Sequence, residues 1–382
     1  MAKRRPTLVR SKHKKKKRKA DKPLYFDYQL LFLVLFLVAL GLIMVYSTSS
    51  YTSELKMGTP FYYLERQGVF AVIGIAAMIF FARVDYHVWR RFAVIFMLGM
   101  IVLLVLVFAI GTASHGAKRW IQIGPVKFQP SELAKIAIIL YTAHMATIKS
   151  ARIGNIKILA KVAFFPLVAI ALIASENLST AIICAAIAFV IIFVTSPKIA
   201  QFIGAGVAVI LMMGIFLLFA SYRMERILIW RNPEKYEKGY QTLQSLYAIG
   251  SGGIFGKGLG QSIQKLGFIP ESHNDMIFSV ICEELGLFGA ACVIILFVIL
   301  IWRCVIIAMS APDLFGALLV VGVITHIAVQ VLVNIAVVTN SIPPTGVPLP
   351  FISYGGTALA CLLAEMGLVL SVASRIHIPK GY

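Results

Sequence analysis

A succession of apolar runs, most of them long enough to cross a bilayer, leaves this chain few ways to fold. A segment surrounded by hydrocarbon must satisfy its backbone N–H and C=O groups within itself, which for runs of this length means helices. The runs fall at about 28–47, 68–82, 92–110, 132–148, 158–174, 178–194, 199–220, 276–302, 314–338 and 357–373. The sequence therefore predicts an all-α, polytopic membrane protein of about ten spans. Several runs are shorter than the roughly 20 residues a crossing prefers, so their flanks must contribute. The fifth and sixth are divided only by Ser175, Glu176 and Asn177. A chain that is 59% hydrophobic and only 14% charged is not an ordinary soluble domain. No internal repeat pairs the first five runs with the last five, which argues against an inverted-repeat transporter.

Charge supplies the orientation. Much of the net +20 sits in the Lys and Arg run between residues 3 and 22. Beside a span, such a run holds the N-terminus in the cytoplasm and attracts anionic membrane lipid; a nucleic-acid arm is the alternative, and no nucleic-acid partner is expected. The connections carrying Arg83, Arg90 and Arg91, then Lys149, Arg152 and Lys157, then Lys198, then Arg303 all fall on the same cytoplasmic side. This divides the chain into a basic cytoplasmic tail, 1–27, a ten-span domain, 28–374, and a cytoplasmic C-terminal tail, 375–382. Segments 48–67, 111–131, 175–177, 221–275 and 339–356 are left outside. The large extracellular loop between spans seven and eight, 221–275, carries seven Lys and Arg residues from Arg223 to Lys265. Long loops translocate largely regardless of charge. These cations call for another reason, and an anionic substrate would provide one. The five cysteines show no metal or disulfide spacing and read as small packing residues.

Three outside segments carry chemistry. Segment 111–131 combines Lys118, Arg119 and Lys127 with Trp120, a set that can neutralise phosphate and stack on a sugar, or equally form an interfacial belt. Directly after it, Glu132 and Lys135 share one helix face at three-residue spacing and can pair at the membrane edge. The glycines between Gly250 and Gly260, with Lys257 among them, offer backbone that can approach a phosphate closely, although they match no nucleotide-binding fingerprint. The loop ends in Pro270-Glu271-Ser272-His273-Asn274-Asp275. From position alone Asp275 reads first as a helix cap and second as a general base, with His273 either orienting it or merely lying in the loop. Glu283 and Glu284 follow inside the eighth span, where adjacent helical residues diverge and buried charge requires partners. The last outside segment, rich in proline and glycine from Pro343 to Gly356, cannot be a regular helix and should line a site or pack on protein.

Five strings together resemble the SEDS family (shape, elongation, division and sporulation), which includes RodA, FtsW and SpoVE. They are GAKRWIQIGPVKFQPSELAK from Gly116, ENLSTA from Glu176, GYQTLQSLYAIGSGGIFGKGLGQS from Gly239, PESHNDMIFSVICEELG from Pro270 and PPTGVPLPFISYGGT from Pro343. The resemblance implies a peptidoglycan glycosyltransferase of the bacterial cytoplasmic membrane. It would polymerise lipid II at the outer face and release undecaprenyl diphosphate. Its partner would be a class B penicillin-binding protein, with other division or sporulation proteins at the septum.

Carried over by position, Asp275 is the catalytic carboxylate, Arg119, Trp120 and Lys127 engage substrate, and Glu132 with Lys135 form the polar pair of the fourth span. Lys257 and His273 are counted with them as substrate-binding candidates. No cofactor is required, and a contribution from a divalent cation, magnesium or manganese, stays open. Where many members read Gln-Pro-Asp-Leu-Gly-Thr, this chain has Ser175-Glu176-Asn177-Leu178-Ser179-Thr180, so no aspartate role transfers there. This form looks closer to FtsW and SpoVE than to RodA. A lipid II flippase using Glu283 and Glu284, and a noncatalytic scaffold for the penicillin-binding protein, are the competing readings.

Overall fold

The computed structural model describes residues 26–114, 117–123, 126–198 and 227–376. Its longer helices are α1 (Tyr28–Met57), α2 (Tyr62–Arg83), α3 (Tyr86–Ile110), α4 (Pro130–Lys149), α5 (Ile156–Glu176), α6 (Leu178–Thr195), α7 (Tyr240–Ser251), α8 (Ile277–Met309), α9 (Leu314–Val338) and α10 (Gly356–Ala373). Among the described residues, eight helices (α1–α3, α5, α6 and α8–α10) are long and apolar enough to cross a membrane. α4 fills the expected fourth position; it is less apolar because it carries Glu132 and Lys135, and nearly all of its first fourteen residues are buried. The expected seventh span, 199–220, lies outside the described residues.

Short polar caps start the helices. Asp27, Asp85, Asn155, Asn177 and Asp313 each accept a bond from a backbone N–H in the first turn of α1, α3, α5, α6 and α9. Asn177 explains the narrow division between the fifth and sixth runs: α5 ends at Glu176 and Asn177 caps α6 through Thr180 N at 3.2 Å. Helices also outlast their apolar runs. α1 continues to Met57 and stops where Gly58 takes φ +73°, since backbone hydrogen bonding does not end where hydropathy does.

α4 is central, packing on α3, α5, α6, α9 and α10. α2 and α10 form the most extensive helix pair, and they approach closely at glycines: a Cβ on Gly367 would lie 2.5 Å from Met78 O. Small residues permit this because, in lipid, helix association relies on close packing. Large apolar side chains such as Ile95, Val102, Phe164, Ile295, Val298 and Trp302 remain on the outside, as a lipid-facing surface requires.

Two segments expected to be loops are partly regular. A three-stranded antiparallel sheet forms from β1 (Thr112–Ser114), β2 (Ala117–Ile123) and β3 (Val126–Phe128), with Ile121 opposite Phe128 and Gln122 opposite Lys127. The described part of 221–275 contains a helical turn at its start and the twelve-residue α7, which packs on α8.

α8 is bent at Gly286, where φ is 70° and ψ is −170°. The loop after α7 supplies the reason. Lys257 N and Gly258 N donate to the carbonyls of Glu283 and Glu284, while Leu287 N and Phe288 N donate to those of Gly253 and Ile254. Loop backbone thus replaces the helix's own partners across the bend. A Cβ at Gly286 would lie 2.3 Å from Gly256 N, so glycine is needed there on both counts. Side chains fasten the same contact. Glu283, fully buried, accepts from Lys257 Nζ at 2.7 Å and from Ser262 Oγ. Glu284, also fully buried, accepts from Lys265 Nζ and from Ser47 Oγ of α1, each at 2.8 Å. At the opposite end of the bundle Asp27, the cap of α1, pairs with Arg303 of α8 at 2.8 Å.

Candidate active site

All five segments expected on the outer side contribute to one cavity of about 1590 Å³. Its sheet wall presents Trp120, Gln122 and Lys127. Trp120 and Gln122 alternate along β2 with the buried Ile121, so one face of the strand lines the cavity and the other packs inward. Arg119 belongs to β2, but its side chain lies outside the described residues.

The next wall is the start of α4. Lys135 Nζ stands 2.9 Å from Glu132 Oε2, and both side chains are nearly inaccessible to water. The expected pair therefore forms, deeper than a surface ion pair. α9 supports it: Gln330 Oε1 accepts from Lys135 Nζ at 3.5 Å, and Gln330 Nε2 donates to Pro348 O at 2.9 Å.

The Pro270–Asp275 stretch forms a third wall together with the proline-rich segment. Asn334 of α9 is fully buried and its amide donates to Asp275 O and Val347 O, both at 2.8 Å. One side chain thus joins the two segments. A Cβ on Gly346, whose φ is +70°, would stand 3.9 Å from Asp275 Oδ2, which brings the proline-rich segment alongside the carboxylate. The N-cap position of α8 is Met276, with no side-chain cap bond, so Asp275 stands one residue before the position that the helix-cap reading gave it.

His273 does not serve as a cation. Its ring lies 4.3 Å from that of Tyr63 and 5.5 Å from that of Tyr354, and its carbonyl accepts from Tyr354 N at 2.9 Å. Burial pushes the imidazole down to about 4, so it is neutral near pH 7 and packs as a polar aromatic that fixes the stretch leading to Asp275.

Lys257 is placed elsewhere. It does not line the cavity; its ammonium neutralises Glu283 beneath the loop. Lys265 likewise serves Glu284. The expectation that the loop's excess cations face an anionic substrate is corrected for these two, because two buried carboxylates on α8 claim them. Arg223 and Arg226, and the Lys238 side chain, lie outside the described residues.

Sequence reasoning missed Arg66, which lines the cavity with Tyr62's ring 4.6 Å from its guanidinium carbon. It also missed the polar stripe His326, Gln330 and Asn334. Polar residues at four-residue spacing inside an apolar run were the available signal. Among the described residues no group of three or more His, Cys, Asp or Glu gathers to hold a metal. Among the described residues the cavity's carboxylates are Glu65, Glu271 and Asp275, with Glu132 already paired to Lys135.

A bundle of membrane-spanning helices enclosing a deep, cation- and carboxylate-lined cavity at one end defines an integral membrane protein with a site fit for a large polar ligand on a lipid. The chain belongs to the FtsW/RodA/SpoVE family, described as cell cycle protein, whose model matches residues 28–377. It is 39% identical to stage V sporulation protein E of Bacillus subtilis, with 91% of this chain and 96% of that protein covered. It is 38% identical to the probable peptidoglycan glycosyltransferase FtsW of Geobacter metallireducens, with 92% and 95% covered. Its structure is similar to a chain of a peptidoglycan synthase complex solved for the structural coordination of polymerization and crosslinking. The TM-score is 0.79 at 28% identity, covering 93% of this chain and 99% of that one.

Proposed function

We propose that this protein polymerises lipid II into glycan strands at the outer face of the cytoplasmic membrane. The observation that carries the reading is the convergence of five outside segments on one cavity that has Asp275 on one wall and Lys127 and Arg66 on others. A lipid-linked disaccharide needs such a combination: room for sugars, cations for a diphosphate, and one carboxylate at the reacting hydroxyl.

In the proposed step the Asp275 carboxylate takes the proton of the acceptor's GlcNAc 4-hydroxyl. That oxygen attacks the anomeric carbon of the donor, the bond to undecaprenyl diphosphate breaks, and the α-linked donor becomes a β-linked product. One displacement inverts the centre, so a single base suffices. Lys127 and Arg66 line the cavity and would offset the charge growing on the leaving diphosphate, with Arg119 joining them by family resemblance, while Lys135 is already neutralised by Glu132. Trp120 offers a face for a sugar ring.

The likeness to the peptidoglycan synthase complex supports a penicillin-binding protein as partner, and the relatives support a role in the cell cycle or sporulation; the septum is the place this reading proposes for it. The transport alternative loses its best candidates, since Glu283 and Glu284 are each held by a lysine and a serine. The test is polymerisation of purified lipid II by Asp275→Asn and Asp275→Ala variants that stay folded and partner-bound. Glycan chains are expected to disappear; near-native chains from either variant would sink the assignment.

A further inference from the structure

Behind the Glu132–Lys135 pair, α9 and α10 bury a second ionisable pair that the chemistry above does not use. His326 is 1% exposed and Glu365 is fully buried, and His326 Nδ1 lies 2.7 Å from Glu365 Oε2. The other ring nitrogen, Nε2, lies 2.8 Å from Gln330 Oε1. The hydrogen-bond inventory around Gln330 is restrictive. Its Nε2 donates to Pro348 O, and its Oε1 faces the ammonium of Lys135, a group with donors only. His326 Nε2 must therefore carry a proton, because a bare nitrogen would face an oxygen with no hydrogen between them. Nδ1 then has two options. Either it accepts from a protonated Glu365, or it is also protonated and donates to the Glu365 carboxylate. In both cases the pair holds one proton more than a neutral imidazole beside an ionised carboxylate. The other titratable groups near this point are Glu132 and Lys135 of α4, Cys184 of α6 and Cys361 of α10.

We propose that the His326–Glu365 pair is a positioning device for the polymerisation site: it keeps His326 Nε2–H aimed at Gln330 and thereby fixes which way the Gln330 amide points. With that orientation the amide carbonyl faces Lys135 and the amide N–H₂ holds the proline-rich segment through Pro348. If the pair lost that extra proton and the imidazole switched tautomer, Nδ1–H would donate to the Glu365 carboxylate and the bare Nε2 would draw the amide nitrogen of Gln330. The flipped amide would present a donor to Lys135 and an acceptor to Pro348 O, releasing both. Gln330 and Asn334, one turn apart on α9, are then two clasps on the same wall: one seats Lys135 and Pro348, the other seats Asp275 and Val347.

The inference rests on the polymerase reading for its activity readout but not for its structural one. Glutamine at 365 can donate an N–H to Nδ1 and preserve the Nε2–H tautomer, whereas methionine cannot. Polymerisation by partner-bound Glu365→Gln is expected to stay within about threefold of native, and that of Glu365→Met to fall by roughly tenfold or more, the effect of one misplaced buried hydrogen-bond set. Equal loss in both variants, or native activity in both, would overturn the proposal. Independently of activity, the ring-nitrogen resonances of isotopically labelled histidine, with His326 assigned by its absence in His326→Gln, should show Nε2 protonated. A bare Nε2 in the native protein overturns it. If native protein makes no glycan at all, the polymerase reading fails while the tautomer measurement still decides this one.

Discussion

Replacing Lys265 by methionine tests how the loop is fastened to α8. The lysine ammonium lies 2.8 Å from Glu284 Oε1 and 3.0 Å from Ser47 Oγ, Lys265 is 5% exposed, and Glu284 is fully buried. Methionine keeps most of the stem's volume but removes the charge, leaving the Glu284 carboxylate with the Ser47 hydroxyl in a dry interior. Breaking one side of a buried pair costs about 3–5 kcal/mol, while exchanging both partners for neutral groups is often close to neutral. Lys265→Met is therefore expected to lose about 3–5 kcal/mol, and Lys265→Met with Glu284→Gln to recover most of it, a coupling of roughly 2 kcal/mol or more. Four of the five cysteines are buried and all are free, so a thiol-reactive fluorophore added during heating in detergent reports unfolding directly. Additive losses, with the double variant as unstable as the two single losses summed, would refute the idea that the pair acts as one buried unit. Native stability in Lys265→Met would refute the burial argument itself.

Two further outcomes follow from the same structure. Gly286→Ala should destabilise severely, because its Cβ would meet backbone atoms at 2.3–2.6 Å in a conformation reserved for glycine, whereas Gly58→Ala, with open space around it, should cost only about 1 kcal/mol; the same thermal assay separates them. His273 is neutral in the fold down to about pH 4 but in the unfolded chain takes up a proton below about 6.5. Its contribution to stability is thus complete above pH 6.5 and falls as pH drops toward 4, by up to about 3 kcal/mol, and His273→Phe should remove this part of the acid sensitivity measured between pH 7 and 5.

Much of this architecture could be read from the chain, and the parts that could not share a cause. Hydropathy located the helices because a bilayer imposes their length, and Asn177 marked the break between α5 and α6 because a cap residue is needed there. Glu132 and Lys135 were found because their pairing is local, one helical turn apart. Lys257 was misjudged because its partner, Glu283, is brought to it by a bend in α8 that depends on backbone bonds from residues 253–258. Arg66 and the α9 stripe were missed for the same reason: their meaning lies in what α2, α4 and α10 place opposite them. The strands between 112 and 128 escaped notice because their Lys, Arg, Trp and Gln content reads as a polar connector, while Ile121 packs inward as a buried apolar anchor. Asp275 could be singled out, but its tether to Asn334, fifty-nine positions away, could not.

The two ties between α1 and α8 have a mechanical consequence. Asp27 grips Arg303 near one membrane face, and Ser47 grips Glu284 near the other. Two fastenings separated by most of the length of α1 prevent the helices from sliding or pivoting against each other, so α1 acts as a splint along a helix that is bent at Gly286. Any motion that admits a long lipid or lets a growing strand leave must then carry α1 and α8 together. The bend is held at a set angle, and Asp275, at the head of the splinted helix, is tied in turn to α9 through Asn334.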